Sequence, residues 1–155
     1  MYYSFQGNIS SVRKDFVVIE VGGIGFQVFV PHIEDYSKGD NVFIYVYQVV
    51  REDEQYLVGF KSEYEKEAFL SLISVKGIGP RTALGAMSAT SAEDLFSAIA
   101  ANNITFLKKL PGIGAKAASQ IILDLKGQLT GTPAGNPNQY DEVRDALKGL
   151  GYKVK

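Results

Sequence analysis

The chain reads Val75-Lys76-Gly77-Ile78-Gly79-Pro80-Arg81-Thr82-Ala83 and then, 35 positions further on, Leu110-Pro111-Gly112-Ile113-Gly114-Ala115-Lys116-Ala117-Ala118. Each copy has an apolar residue, a Gly-Ile-Gly turn, a cation two residues after the second glycine and a small residue two further on. Helical sequence lies on both sides of each copy. The repeat therefore predicts two similar helix–turn–helix units.

Each copy has the layout of a helix–hairpin–helix, a motif that grips nucleic-acid backbone. Glycine permits positive φ angles and a close approach of the backbone to a ligand. The second helix begins at the turn, and its first amides lie unpaired at the positive end of the helix dipole, where a phosphate fits. We expect phosphate-binding hairpins formed by Lys76, Gly77, Ile78, Gly79, Pro80, Arg81, Pro111, Gly112, Ile113, Gly114, Ala115 and Lys116.

The cations of the two copies support this prediction. Arg81 and Lys116 stand in the first turn of a helix, which is the unfavourable end for a cation unless an anion lies nearby. The isoleucine of each turn can fill the gap between its two helices. No side chain is suited to reading bases, so we expect a grip without sequence preference. The alternative is a pair of ordinary turns between packed helices, which two matched copies disfavour.

Composition excludes several classes of protein. The 155 residues include no cysteine, which excludes disulfides, zinc–thiolate sites and thiol nucleophiles and fits a reducing cytoplasm. A single histidine, His32, excludes a His-rich metal cluster and a Ser-His-Asp triad, and we expect it at the surface or at a strand end. We expect no membrane span, because no apolar stretch is long enough, and the first residues show no signal-peptide pattern. We therefore expect a cytoplasmic protein with no metal, cofactor or membrane partner.

The net charge of −1 is unusual for a protein that binds nucleic acid. Its distribution is uneven, because residues 1–63 carry 5 basic and 9 acidic side chains whereas residues 64–130 carry 7 and 5. The positive segment contains both hairpins. Binding should depend on shape and backbone amides, with strong sensitivity to salt.

Residues 1–63 are rich in Val, Ile, Phe and Tyr and are divided by turn signals. We predict strands at 3–9, 16–21, 25–30, 42–50 and 55–60. Five short strands in about sixty residues fit a small closed barrel, of which the OB-fold is the commonest five-stranded case. Other small barrels stay open as alternatives.

From residue 64 the pattern becomes helical, and we predict helices at 64–74, 82–87, 91–101, 104–109 and 115–129. Residues 64–130 thus form an all-α tandem helix–hairpin–helix domain, and the fold class is α+β. Residues 131–140 are small, polar and proline-broken, which is typical of a flexible linker. Residues 141–155 read as one short amphipathic helix, which needs a partner surface or further residues to form a core.

No catalytic residue is expected. The chain has no phosphate-binding P-loop sequence and no carboxylate cluster with the spacing of a two-metal nuclease. A lysine at the position of Lys116 is the nucleophile of endonuclease III-type glycosylases, but these enzymes have an aspartate 18 residues later. This chain has Ala134 there, so a glycosylase is disfavoured. The charged loop at residues 51–54 reads most simply as a solvated hairpin tip.

Three features of the sequence occur together: Ile19-Glu20-Val21-Gly22-Gly23-Ile24-Gly25-Phe26, Val49-Val50-Arg51-Glu52-Asp53 and the two Gly-Ile-Gly turns. In these residues the whole chain resembles the RuvA family of proteins that bind Holliday junctions. The resemblance implies an OB barrel (1–63), a tandem helix–hairpin–helix domain (64–130), a linker (131–140) and an incomplete C-terminal motor-binding domain (141–155). Only the first helix of that last domain is matched.

The resemblance also implies function. It implies a homotetramer, or an octamer, that holds four-way junction DNA open and flat in recombination and repair. It implies a RuvB-type hexameric ATPase as motor and a RuvC-type resolvase as further partners, with no ATPase activity in this chain. Glu52 and Asp53 match the family's acidic pin, whose carboxylates repel phosphates at the crossover. The alternative is a generic repair module, an OB barrel joined to hairpins without junction specificity, which exposed aromatic side chains on the barrel would favour.

Overall fold

The computed structural model describes residues 1–130, with side chains to residue 127. Five strands precede five helices. The strands are β1 Ser4–Val12, β2 Phe16–Val21, β3 Ile24–Phe29, β4 Asn41–Val50 and β5 Gln55–Phe60, with a short 3-10 turn at Ile33–Asp35. The helices are α1 Glu63–Ser74, α2 Pro80–Met87, α3 Ala92–Ala100, α4 Ile104–Lys108 and α5 Ala115–Thr130. The predicted linker and C-terminal helix lie outside the described residues.

The five strands form a closed barrel in the order β1-β2-β3-β5-β4. All neighbours are antiparallel except β3 and β5, which pair in parallel through Val28 with Leu57 and Phe29 with Val58. The predicted α+β fold, a five-stranded barrel followed by helices, is confirmed.

The first strand is longer than predicted. It continues from Ile9 to Val12 through a register shift between Ile9 and Ser11, after which Val12 pairs with Val17. The Ser10 hydroxyl donates a hydrogen bond to the Val18 carbonyl at 3.4 Å. The prediction relied on alternating apolar residues and therefore ended the strand before Ser10 and Ser11. The register shift at these serines breaks the alternation.

Sequence signals set the ends of the helices. Ser62 caps α1, Ser91 caps α3 and Asn103 caps α4, each through a side-chain oxygen that accepts a backbone N–H. The strands end at Phe60 and α1 begins at Glu63. The predicted boundary between barrel and helical domain, after residue 63, falls at the first residue of α1. Among the described residues, no helix is long and apolar enough to cross a membrane.

The barrel and the helices share apolar contacts. Phe69 of α1 is fully buried, and its ring centroid lies 5.9 Å from that of Tyr47 on β4 and 5.1 Å from that of Phe60 on β5. Val49 and Val58 belong to the same buried cluster as the cores of all five helices. A second cluster, which includes Ile9, Ile19, Ile44 and Val46, lies inside the barrel. Helix α1 is thus fixed against the outer face of β4 and β5.

Substitution of Phe69 should therefore destabilise both parts of the molecule. We expect Phe69→Ala to lower the free energy of unfolding by about 3–5 kcal/mol, because it removes a buried ring and leaves a cavity. Urea denaturation followed by circular dichroism measures this free energy. Leu123→Ala is the control, since Leu123 is 75% exposed, and it should change stability by less than about 0.5 kcal/mol. A loss below about 1 kcal/mol for Phe69→Ala would contradict the shared core.

Candidate nucleic-acid interface

The first hairpin connects α1 to α2. The Ile78 N–H donates to the Val75 carbonyl at 3.1 Å, and the Ala83 N–H donates to the Gly79 carbonyl at 3.0 Å. Gly77 lies within the first of these turns with φ of +91°, a conformation that residues with a Cβ rarely adopt. Gly79 then caps α2, and Pro80 occupies the first helical position.

The second hairpin, between α4 and α5, repeats these bonds position by position. The Ile113 N–H donates to the Leu110 carbonyl at 3.1 Å, and the Ala118 N–H donates to the Gly114 carbonyl at 2.9 Å. Gly112 has φ of +78°. The repeat in sequence is therefore a repeat in backbone hydrogen bonding.

The two glycines of each turn have different backbone conformations. Gly77 and Gly112 take positive φ, whereas Gly79 and Gly114 do not. Gly79 has φ of −94° and ψ of 174°, because a residue that caps a helix adopts extended backbone angles. A Cβ at Gly114 would meet nothing within 4 Å, and at Gly79 it would only reach the Arg51 guanidinium at 4.0 Å. The second glycine of each turn therefore keeps the approach to the helix N-terminus open.

The isoleucine of each turn is buried, as expected, and so is the alanine that follows each turn. Ile78 and Ile113 are 5% and 4% exposed and belong to the core cluster of the helical part. Ala83 and Ala118 are fully buried. These side chains hold each pair of helices together and leave the turn itself at the surface.

The two hairpins contact each other. The Lys76 N–H of the first turn donates a long hydrogen bond of 3.4 Å to Asp124 Oδ2 on α5, and Gln120 Nε2 donates to Asp124 Oδ1 at 2.8 Å. A Cβ at Gly112 would lie 3.2 Å from Thr82 Cγ2 on α2. Asp124 thus joins the second hairpin's helix to the first hairpin's turn. Sequence analysis missed it, because nothing in the local pattern relates it to a residue 48 positions earlier.

The exposed cations of the hairpins have different surroundings. Arg81 Nη2 donates a hydrogen bond to Glu54 Oε1 at 3.0 Å, and its guanidinium lies 4.7 Å from the Tyr56 ring centroid. The hydrogen bond to Glu54 raises the pKa of Arg81, because the carboxylate favours the charged form. Lys76 and Lys116 are exposed and form no ion pair within the described part of the chain.

The charged loop at residues 51–54 lies beside the first hairpin. It is the tip of the β4–β5 hairpin, closed by a 2.8 Å bond from the Arg51 N–H to the Glu54 carbonyl, and all four residues are exposed. A cleft of about 330 Å³ separates it from α2. The cleft is lined by Arg51, Asp53, Glu54, Tyr56, Gly79, Pro80, Arg81 and Thr82. Two features that the sequence placed in different domains thus share one surface.

Glu54 and Tyr56 were not singled out from the sequence, although both contact Arg81. Burial raises the pKa of the Tyr56 phenol, because loss of water disfavours the phenolate. His32, which we expected at the surface or at a strand end, is partly buried just beyond the end of β3. Its Nδ1 lies 3.2 Å from Glu34 Oε1. Within residues 1–127, no group of three or more acidic or histidine side chains could hold a metal ion.

Comparisons with known proteins match both parts of the chain. The family model described as the RuvA N terminal domain matches residues 1–59, and the SAM-like helix-hairpin-helix tandem matches residues 69–126. A protein of Lactobacillus delbrueckii subsp. bulgaricus is 44% identical over 97% of this chain and 81% of its own length. Its name is Holliday junction branch migration complex subunit RuvA.

Two further relatives carry the same name. The protein of Lactobacillus helveticus is 42% identical over all of this chain and 84% of its own length. The protein of Streptococcus sanguinis is 42% identical over 99% of this chain and 85% of its own length. The similarity therefore extends over nearly the whole sequence.

Proposed function

Because this chain belongs to the RuvA family, we propose that it binds four-way DNA junctions as a non-catalytic subunit of a branch-migration complex. The observation that carries the proposal is the pair of hairpins with the same backbone hydrogen bonds. Each ends in a glycine at the start of a helix, beside an exposed cation. Two such units on one chain can hold two sections of phosphate backbone.

The grip would use backbone amides first. Gly79 offers no side chain to cap α2, so the first N–H groups of the helix stay available to a phosphate oxygen. Gly114 occupies the matching position before α5 and is exposed, whereas Gly79 is partly buried. Lys76, Arg81 and Lys116 would add positive charge around these amides. None of these contacts involves a base, so the grip would be independent of sequence.

The acidic loop would act against the DNA rather than with it. Glu52 and Asp53 are exposed at its tip, next to the first hairpin. We assign them to the acidic pin, where carboxylates repel phosphates and disfavour an uninterrupted duplex. Repulsion of this kind selects a junction, which offers an opening between its arms.

Assembly and partners complete the proposal. A cytoplasmic tetramer, or two tetramers as an octamer, would bring four acidic loops to the centre of the junction and direct the hairpins to its arms. A RuvB-type hexameric ATPase would supply the motor and dock on the region after residue 130. A RuvC-type resolvase would act on the same junction.

A second candidate is a repair module whose barrel binds single strands. Three aromatic side chains on the barrel favour it, since Tyr2, Tyr3 and Phe43 are 50%, 57% and 50% exposed. Two contacts weigh against stacking of bases on this surface. The Lys66 ammonium lies 3.7 Å from the Tyr3 ring centroid and covers one face of that ring. Phe43 packs edge-on against Tyr45, with centroids 5.1 Å apart.

A gel-shift titration tests the proposed function. We expect this protein to bind a synthetic four-way junction on the order of a hundredfold more tightly than a linear duplex of the same length and sequence, because selective binders commonly exceed their non-specific affinity by at least this much. Equal affinity for both would refute junction recognition and leave a general DNA grip. Tighter binding to a single strand of equal length would favour the barrel candidate.

The hairpin grip has its own test in the double variant Gly79→Ser, Gly114→Ser. Serine is a favoured helix cap, so the free energy of unfolding should stay within about 0.5 kcal/mol of the parent. Its hydroxyl would occupy the amides that a phosphate needs, and affinity for every DNA should fall on the order of tenfold. Fluorescence anisotropy with duplexes of unrelated sequence measures this.

Gly85→Ser is the matched control for the hairpin test. Gly85 lies on α2 away from the turn, and a Cβ there meets nothing within 4 Å. This variant should bind DNA like the parent. A loss in the double variant that is confined to particular sequences would contradict the phosphate grip.

The acidic pin is tested by Glu52→Gln combined with Asp53→Asn. Because two repelling charges are removed, affinity for linear duplex should rise on the order of fivefold while junction binding is kept, so that junction preference falls. The charge-matched control is Glu34→Gln with Asp35→Asn, an exposed acidic pair in the turn before β4. A pin variant with unchanged preference and an unchanged branch-migration rate would exclude the pin role.

A further inference from the structure

We propose that Glu54 competes with the DNA backbone for Arg81, so that the first hairpin binds phosphate less tightly than the second. Glu54 is distinct from the pin residues, because its side chain is bonded to Arg81 on α2. The inference rests on the proposed phosphate grip of the hairpins, and it assigns a new role to a residue next to that site.

Arg81 is held from two directions. Its Nη2 lies 3.0 Å from Glu54 Oε1, while its guanidinium carbon lies 4.7 Å from the Tyr56 ring centroid and 5.8 Å from that of Phe29. All three partners come from the barrel. The guanidinium is therefore oriented by the barrel, although its side chain is 65% exposed.

The carboxylate of Glu54 has the chemistry of the proposed ligand. A carboxylate and a phosphate bind guanidinium through the same charge-assisted hydrogen bonds. Arg81 follows Pro80 at the start of α2, so a phosphate on the helix amides would lie beside Glu54 as well. Two anions at one guanidinium repel each other, and Asp53 lines the same cleft. A phosphate therefore binds Arg81 fully only if Glu54 releases it. If Glu54 stays bonded to Arg81, the phosphate binds more weakly.

The second hairpin lacks this competitor. Lys116 occupies the position equivalent to Arg81 and is exposed, and no carboxylate within residues 1–127 pairs with it. This difference between Arg81 and Lys116 does not arise from the repeat itself, because the backbone hydrogen bonds are the same in both copies. It arises because Glu54, Tyr56 and Phe29 of the barrel contact Arg81 of the first hairpin.

A double-mutant cycle tests the competition. Glu54→Gln, Arg81→Gln and the double variant are titrated by fluorescence anisotropy against a linear duplex and a four-way junction at fixed ionic strength. Glu54→Gln should tighten binding about two- to fivefold, the range expected for release of an exposed ion pair. Both DNAs should gain equally, because both present backbone phosphates. In the Arg81→Gln background the same substitution should tighten binding less than about twofold, since no pair is left to release and only repulsion between the carboxylate and the phosphates is removed.

Glu20→Gln is the matched control for loss of one negative charge. Glu20 is exposed and pairs with Asn8, which in turn pairs with Asn41 at the start of β4. The loop at residues 51–54 follows the other end of this ten-residue strand, roughly 30 Å away. Thermal unfolding of each variant verifies that the fold is kept.

The outcomes separate this inference from the proposed function. An equal gain from Glu54→Gln with and without Arg81 would show general repulsion and overturn the competition. No gain would overturn it too. If the parent protein shows no preference for the junction, the proposed function is refuted. The double-mutant cycle on linear duplex would still measure the coupling of Glu54 to Arg81. Absence of any DNA binding by the parent would overturn both.

Discussion

The packing of α1 against the outer face of β4 and β5 is the contact on which the rest of the structure depends. Phe69 between Tyr47 and Phe60 fixes the start of the helical part on the barrel. The same two strands lead into the charged loop, and α1 leads into the first hairpin. This buried contact therefore sets the distance between the acidic loop and the first hairpin, and Tyr56 and Glu54 reach Arg81 because of it.

The two hairpins show how one local design acquires two environments. Their turns use the same backbone bonds, the same positive-φ glycine and the same buried isoleucine. Their neighbours differ, because the barrel lies next to the first and Asp124 of α5 reaches its turn. A net charge near zero is compatible with DNA binding, because cations and carboxylates lie at different places on the surface. The cations lie at the helix N-termini and the carboxylates lie at the tip of the neighbouring loop.

Much of the fold could be predicted, because it follows from local pattern. Alternating apolar residues located the five strands, and capping residues and the Gly-Ile-Gly turns located the helices. The end of β1 was missed, since a register shift at two serines breaks the alternation. The extended backbone of Gly79 follows from its position as the cap of α2, and Gly77 takes the positive φ of the same turn.

The sequence by itself determined the barrel, the paired hairpins and the residues proposed to face phosphate, because turns, caps and periodicity act over a few residues. Only the tertiary structure decided that Arg81 meets Glu54, 27 residues away, and that Lys76 meets Asp124, 48 residues away. Such contacts depend on how whole elements are oriented against each other. That orientation is set by the shapes of buried side chains such as Phe69, which no local pattern encodes.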